Sequence, residues 1–211
     1  MKRKIDWLNH FLEFIVVVIG ILLAFQLNTC SSNKKEARTI QNHIEQIAEE
    51  TKFNLGSIDG SIRLGELNQR KLDTIFQIIF STKDFNEINR LSIDLLNIGG
   101  VYFKKNAYST MVQSGDIRFI KDLEKKQEIV GLYEYYKWVE SIESLSLNDF
   151  NEDYYPYVKK HFDIVGGTIQ SEEVYTGKEF KNILAAYSHL LGMKVRKYKD
   201  CKKEMEEYLN I

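Results

Sequence analysis

The chain has 211 residues, of which 44% are hydrophobic, 28% charged and 12% aromatic, a composition that excludes intrinsic disorder, collagen-like repeats and a disulfide-rich miniature scaffold. Its 29 Lys and Arg nearly balance 30 Asp and Glu, so there is no global field to attract nucleic acid or a strongly acidic substrate. One proline and 12 glycines argue against a β-sandwich or an α/β barrel and for long helices with few connections.

The chain opens with a short basic tail over residues 1–10 that carries Lys2, Arg3, Lys4 and Trp7. From Phe14 to Phe25 no polar side chain interrupts the sequence, and the apolar stretch extends from Phe11 to Leu27 if Glu13 and Gln26 are admitted. At about 1.5 Å per residue this segment covers about 25 Å, slightly less than the roughly 30 Å of a hydrocarbon core. Snorkelling cations and an aromatic ring at headgroup level make up the difference. A membrane-spanning helix is therefore expected over residues 11–29. A buried core helix is the poorer reading, because no polar face is left for water. A cleaved signal peptide fails for want of small residues near Phe25 to Thr29. Leu27-Asn28-Thr29-Cys30 leaves lipidation of Cys30 open, although Asn28 suits such a site badly. Lys2, Arg3 and Lys4 precede the span and Lys34, Lys35 and Arg38 follow it, so only the habit of short basic tails to remain inside favours a cytoplasmic N-terminus.

Glu13, Gly20 and Leu27 recur at seven-residue spacing with Val17 and Ala24 between them, and so share one helix face. The small pair Gly20 and Ala24 would let a second helix approach closely, and Glu13 at the edge of hydrocarbon is costly without a partner. This face is expected to bind another copy of the chain or another membrane protein.

The run from Glu13 to Asn28 resembles the N-terminal signature of an uncharacterised bacterial family of single-span proteins with a helical body, found mostly in Gram-negative species. Tyr108-Ser109-Thr110-Met111-Val112-Gln113-Ser114-Gly115-Asp116-Ile117, followed by Asp122-Leu123, Leu132, Tyr133 and Tyr136, is similar to that family's internal pattern. Members often carry an interfacial Trp where this chain has Cys30. The resemblance implies residence in the bacterial inner membrane and a helical body, which the expected orientation puts in the periplasm, and it implies no activity.

After the span, Ile40, Ile44, Ile47, Thr51, Leu55, Ile58 and Ile62, continued by Leu72, Phe76 and Ile79, form one apolar stripe on a long helix or helix pair over 34–80. Gly56, Gly60 and Gly65 predict a kink or turn within it. Short helices are expected over 86–98 and 106–114, the second capped by Asn106 and ended by a left-handed Gly115. A long helix capped by Asp122 is expected over 122–150, Pro156 marks a kink or fresh start, and a C-terminal helix covers 178–209. The fold class is thus all-α: one spanning helix followed by an antiparallel bundle of about five helices over residues 30–211.

No phosphate-binding loop, dinucleotide fingerprint, zinc-protease motif, nucleophile elbow or paired C-x-x-C occurs, so no cofactor, metal or catalytic residue is assigned and an enzyme is the poorest of the function classes. A disulfide between Cys30 and Cys201 would require the last helix to return to the membrane. Tyr108, Gly115, Asp116, Tyr133, Tyr136 and Trp138 are candidates for a partner or ligand surface, with core packing the competing account of the tyrosines. The expected role is a membrane-anchored interaction protein, and the alternative is a ligand-sensing bundle with a small molecule bound near Tyr133 to Trp138.

Overall fold

The computed structural model describes residues 7–210, and these are all-α, with no strand among them. The helices are α1 (Trp7–Phe80), α2 (Phe85–Asp94), α3 (Asn106–Gln113), α4 (Leu123–Asp149), α5 (Tyr155–His161), α6 (Glu172–Thr176) and α7 (Lys178–Leu209). A 3₁₀ turn covers Asp116–Phe119, and a π turn at Phe150–Tyr154 joins α4 to α5. The cluster Lys2, Arg3 and Lys4 lies outside the described residues, and Trp7 to His10, expected within the tail, are already helical.

Helix α1 is a single rod of 74 residues, about 110 Å long at 1.5 Å per residue. Its first third is exposed, and from Ile40 onward it buries one seam. Ile40, Ile47, Asn54, Ser61, Asn68 and Ile75 recur every seven residues, with Thr51, Ile58, Gly65, Leu72 and Ile79 interleaved. Alternating steps of three and four hold the same face toward a partner over many turns. That partner is α7, which runs antiparallel to α1 and also packs antiparallel against α4. The register shows in the ion pairs Lys199–Glu66 at 2.7 Å and Lys202–Asp59 at 2.8 Å, both too exposed to contribute much stability.

Of the kink or turn expected between Gly56 and Gly65, no turn forms: α1 runs through all three glycines, and Gly65 serves packing instead. A Cβ on Gly65 would lie 2.5 Å from Val195 Cγ2, so the missing side chain is what allows α7 to approach. Gly56 has no neighbour within 4 Å of such a Cβ and faces solvent. Continuous tertiary contact on either side outweighs the weak helix propensity of both.

Two apolar cores lie along the body. One joins Ile40 to Ile62 with Phe103, Met111, Leu132, Tyr136, Tyr198 and Met205. The other joins Leu72 to Ile79 with Leu91, Phe150, Tyr154, Tyr175, Phe180 and Leu191. Between α2 and α3 the chain is an extended strap over residues 97–105 that lies along α1.

Several local expectations are corrected. The N-cap position of α3 is Lys105 rather than Asn106, and the Glu50 carboxylate, reaching across from α1, accepts the Ala107 N–H at 3.2 Å from each oxygen. Helix α2 ends at Asp94, because the chain must leave it to form the strap. Asp122 does cap α4, its Oδ1 accepting the Lys125 N–H at 3.1 Å, and Gly115 does adopt φ +77°. Pro156 stands in the first turn of α5, two residues past the end of the π turn, the part of a helix where a residue with no N–H to donate is best tolerated.

The Cys30–Cys201 bridge is also excluded. Cys30 is exposed, whereas Cys201 is buried in the core near Tyr136, which itself sits against Thr51 and Asn54. That level of α1 is about 31 Å along the helix from Cys30, against the roughly 7 Å that a disulfide can bridge.

Filling the close approach at Gly65 is expected to be costly. Gly65→Leu should destabilise the body by about 1–3 kcal/mol through overpacking, whereas Gly56→Ala should stabilise it by about 0.5–1 kcal/mol. Urea unfolding followed by circular dichroism checks both, and equal effects at the two sites would refute this account of the glycines.

Candidate functional site

The candidate surface residues separate once their packing is visible. Tyr133 and Tyr136 are buried, and Tyr108 stacks on Tyr133 with ring centroids 4.0 Å apart. Asp116 and Gly115 form a turn fastened to α1. Asp116 Oδ2 accepts from the Ser114 hydroxyl at 2.7 Å and lies 3.2 Å from His43 Nε2. The Ser114 bond, then the His43 contact, hold the Asp116 carboxyl below its ordinary range. Trp138 is half exposed, with Lys197 Nζ 3.4 Å from its ring centroid. Tyr133 and Tyr136 are therefore core with Tyr108 partly buried against them, the Gly115 turn is a fastening, and Trp138 is the most exposed of the candidates.

The body's polar chemistry lies instead where sequence periodicity points to nothing but helix. Asn54 exchanges two hydrogen bonds with Lys104 of the strap: its Nδ2 donates to the Lys104 carbonyl at 2.9 Å, and its Oδ1 accepts the Lys104 N–H at 2.7 Å. Ser61 Oγ donates to the Gly100 carbonyl at 3.0 Å, and Asn68 Nδ2 to the Asn97 carbonyl at 2.9 Å. The lengths match. Fourteen residues of helix from Asn54 to Asn68 rise about 21 Å, and seven residues of extended chain from Asn97 to Lys104 span about 23 Å. The unpaired backbone of the strap is thus satisfied by side chains on one face of α1.

Behind the strap, at the waist between the two cores, lies a cavity of about 370 Å³. Its walls come from α1 (Ser61, Leu64, Asn68), the strap (Ile98 to Gly100), α4 (Glu143, Leu147) and α7 (Tyr187, Leu191, Lys194), with Phe150 at one end. Glu143 Oε1 accepts the Val101 N–H at 2.8 Å and the Tyr198 hydroxyl. Lys194 Nζ donates to the Gly99 carbonyl at 3.0 Å and sits 3.9 Å from Glu143 Oε1. Burial pulls the Lys194 ammonium below its ordinary pKa, partly offset by Glu143. Burial and the hydrogen bond to Glu143 push the Tyr198 hydroxyl well up. The Asn68 side chain also meets the Tyr187 hydroxyl, but its buried Oδ1 accepts no hydrogen bond, and because the Asn97 carbonyl can only accept, the amide cannot be turned to hide it. An unsatisfied buried acceptor of this kind costs about 1–3 kcal/mol.

The second feature is the free end of α1. Its most apolar 18-residue window has a mean hydropathy of 2.3 and none of it is buried, so by length and composition the helix can cross a membrane. Gly20 has nothing within 4 Å of where a Cβ would stand. Because α1 is unbroken, its faces can be related through the helix. At 3.6 residues per turn, the mean direction of Glu13, Val17, Gly20, Ala24 and Leu27 lies roughly 170° around the helix from that of Ile40, Ile44, Ile47 and Thr51, and roughly 145° from the mean of the whole seam from Ile40 to Ile79. On that ideal geometry the small-residue face points largely away from the bundle side of α1, and the two are separated along the axis by a polar neck from Asn28 to Thr39.

Among the described residues no group of three or more His, Cys, Asp or Glu is placed to hold a metal ion. Burial, then the charges of Glu204 and Asp200, push the Cys201 thiol up to about 12, far from a reactive thiolate.

Fold and features together define an all-α protein with a long apolar N-terminal helix and a polar-waisted helical body. The chain belongs to the family of unknown function DUF6090, whose model matches residues 13–189. None of the curated proteins and none of the solved structures compared with the chain matches it.

The buried tyrosines set an alkaline limit. Burial pushes Tyr136, Tyr157 and Tyr208 up to about 12. A raised folded pKa gives stability that is whole below the unfolded value of about 10 and is lost as pH climbs from there through the folded value. The body should therefore unfold between about pH 10 and 12, with tyrosinate absorbance rising together with loss of helix. Gradual tyrosine titration over a helix signal that stays constant would refute this.

Proposed function

We propose that this chain is a membrane-anchored, non-enzymatic interaction protein that associates with a second copy of itself through the outer face of α1. The observation that carries the reading is that Gly20 and Ala24 stand open on one unbroken helix, which by ideal geometry turns them largely away from the side the bundle packs on. Two spans can approach there in parallel, gaining van der Waals contact that lipid does not supply equally well, while each bundle points outward. Glu13, at the membrane edge, would then face the partner helix rather than acyl chains. The apolar end of α1 sits in the bacterial inner membrane in this reading, with the N-terminus in the cytoplasm and the body in the periplasm.

The interior cavity favours a second reading, a single-span sensing bundle. Its ligand would bind at the waist, not near Tyr133 to Trp138, where the tyrosines are already packed against each other.

Gly20→Leu is expected to reduce the dimeric fraction in lipid bilayers several-fold, measured by energy transfer between singly labelled copies, whereas Ile21→Leu leaves it unchanged. An unaltered dimeric fraction in Gly20→Leu would remove the association face. Protease treatment of intact spheroplasts should destroy a C-terminal tag before lysis, and survival of the tag until lysis would place the body in the cytoplasm.

A further inference from the structure

We propose that the cavity between α1, the strap, α4 and α7 binds a small uncharged molecule with an apolar body and one head group that both donates and accepts hydrogen bonds, an alcohol or a primary amide. This names the ligand class for the sensing reading and rests on that reading, independently of the association face.

Size comes first. A dry apolar cavity of about 150 Å³ already admits benzene, so about 370 Å³ has room for a ring or a short chain together with a polar head. The apolar part of the wall, Leu64, Ile98, Leu147, Phe150 and Leu191, would hold the body of such a molecule. The polar part has capacity left over on both sides of the hydrogen-bond ledger. Asn68 is 2% exposed and its Oδ1 accepts no hydrogen bond, because the Tyr187 hydroxyl beside its amide donates to the Leu95 carbonyl at 3.5 Å instead, so Oδ1 calls for an N–H or O–H donor. Lys194 has three N–H groups, of which one goes to the Gly99 carbonyl, so a donor remains for an acceptor on the same head group.

Charge selects against ions. Glu143 and Lys194 neutralise each other 3.9 Å apart, and Glu140 at the rim is paired with Lys105 at 2.5 Å. An ionic ligand would bring an uncompensated charge into a partly desolvated site, whereas an alcohol or amide satisfies both free positions without one. Access is available past Ser144 and Leu147, two wall residues that are themselves exposed. The site also touches the strap at Gly99 and Gly100, so occupancy would bear on the segment that α1 holds through Asn54, Ser61 and Asn68.

The test uses the full chain in lipid nanodiscs with labelled Leu and Ile methyl groups. It is titrated with benzyl alcohol or with benzyl methyl ether, a similar ring without the donor, at free aqueous concentrations corrected for partition into lipid. Expected are saturable shifts of the Leu64, Leu147, Leu191 and Ile98 methyls, with the alcohol half-saturating at a concentration about tenfold lower than the ether. Ser144→Trp at the exposed lip should abolish the shifts while the Ile47 and Leu72 methyls keep their positions, and Leu147→Trp replaces it if they do not. Equal half-saturation by the two probes would overturn the donor-bearing head group while leaving a sensing cavity in place. Shifts that survive the blocked lip, or no saturable shift with either probe, would overturn the site and the sensing reading with it.

Discussion

The docking of the extended strap onto α1 is the constraint around which the body is arranged. Nine residues of irregular chain between helices would normally stay at the surface, where water satisfies the backbone. Here Asn54, Ser61 and Asn68, one every seven residues, supply the missing partners, and the strap can lie against the bundle. Glu143 and Lys194 do the same from the other side, at Val101 N–H and the Gly99 carbonyl. Because the strap is pinned at both faces, α2 and α3 are fixed at opposite ends of the packed part of α1, and the apolar residues divide into two cores rather than one.

That division explains the chemistry of the waist. Apolar side chains close the cores on either side, but the level of Ser61 to Asn68 is given to polar groups that serve the strap, so close packing there is incomplete and a cavity remains. The cluster around Glu143 is held by hydrogen bonds rather than by apolar contact, and a buried polar cluster specifies a geometry more sharply than it adds stability. An orphaned acceptor at Asn68 Oδ1 is tolerable only where other contacts over-determine the residue, as the bond to Asn97 does here.

The same helix relates the body to its apolar end. A flexible linker would leave the two parts free to rotate, whereas an unbroken α-helix transmits rotation and fixes which face of the apolar segment lies away from the bundle. The neck from Asn28 to Thr39 holds the packed body roughly 20 Å beyond the end of the apolar segment. A change at the waist and a change in the apolar segment are therefore mechanically connected through α1 alone.

Much of this was legible in the residues. Uninterrupted apolar character from Phe14 to Phe25 marks a helix that water cannot solvate, and heptad steps from Ile40 to Ile79 mark a buried seam, because both depend only on local composition and the helical period. Asp122 and Gly115 were readable as cap and turn because their chemistry acts within a few residues. Long-range packing decided the rest. Asn54, Ser61 and Asn68 look like polar breaks in an apolar stripe until the strap is laid beside them, from 29 to 50 residues away in sequence. Gly65 looks like a helix breaker until Val195 is seen against it, and Asn106 looks like a cap until Glu50 reaches Ala107 from another helix. The waist cavity follows from contacts among four separate segments, and no periodicity in any one of them encodes it. By itself the sequence determined the long helices and their apolar faces, but not the short α6 or the end of α2; the tertiary structure alone decided which polar groups meet, because that depends on how distant faces are brought into register.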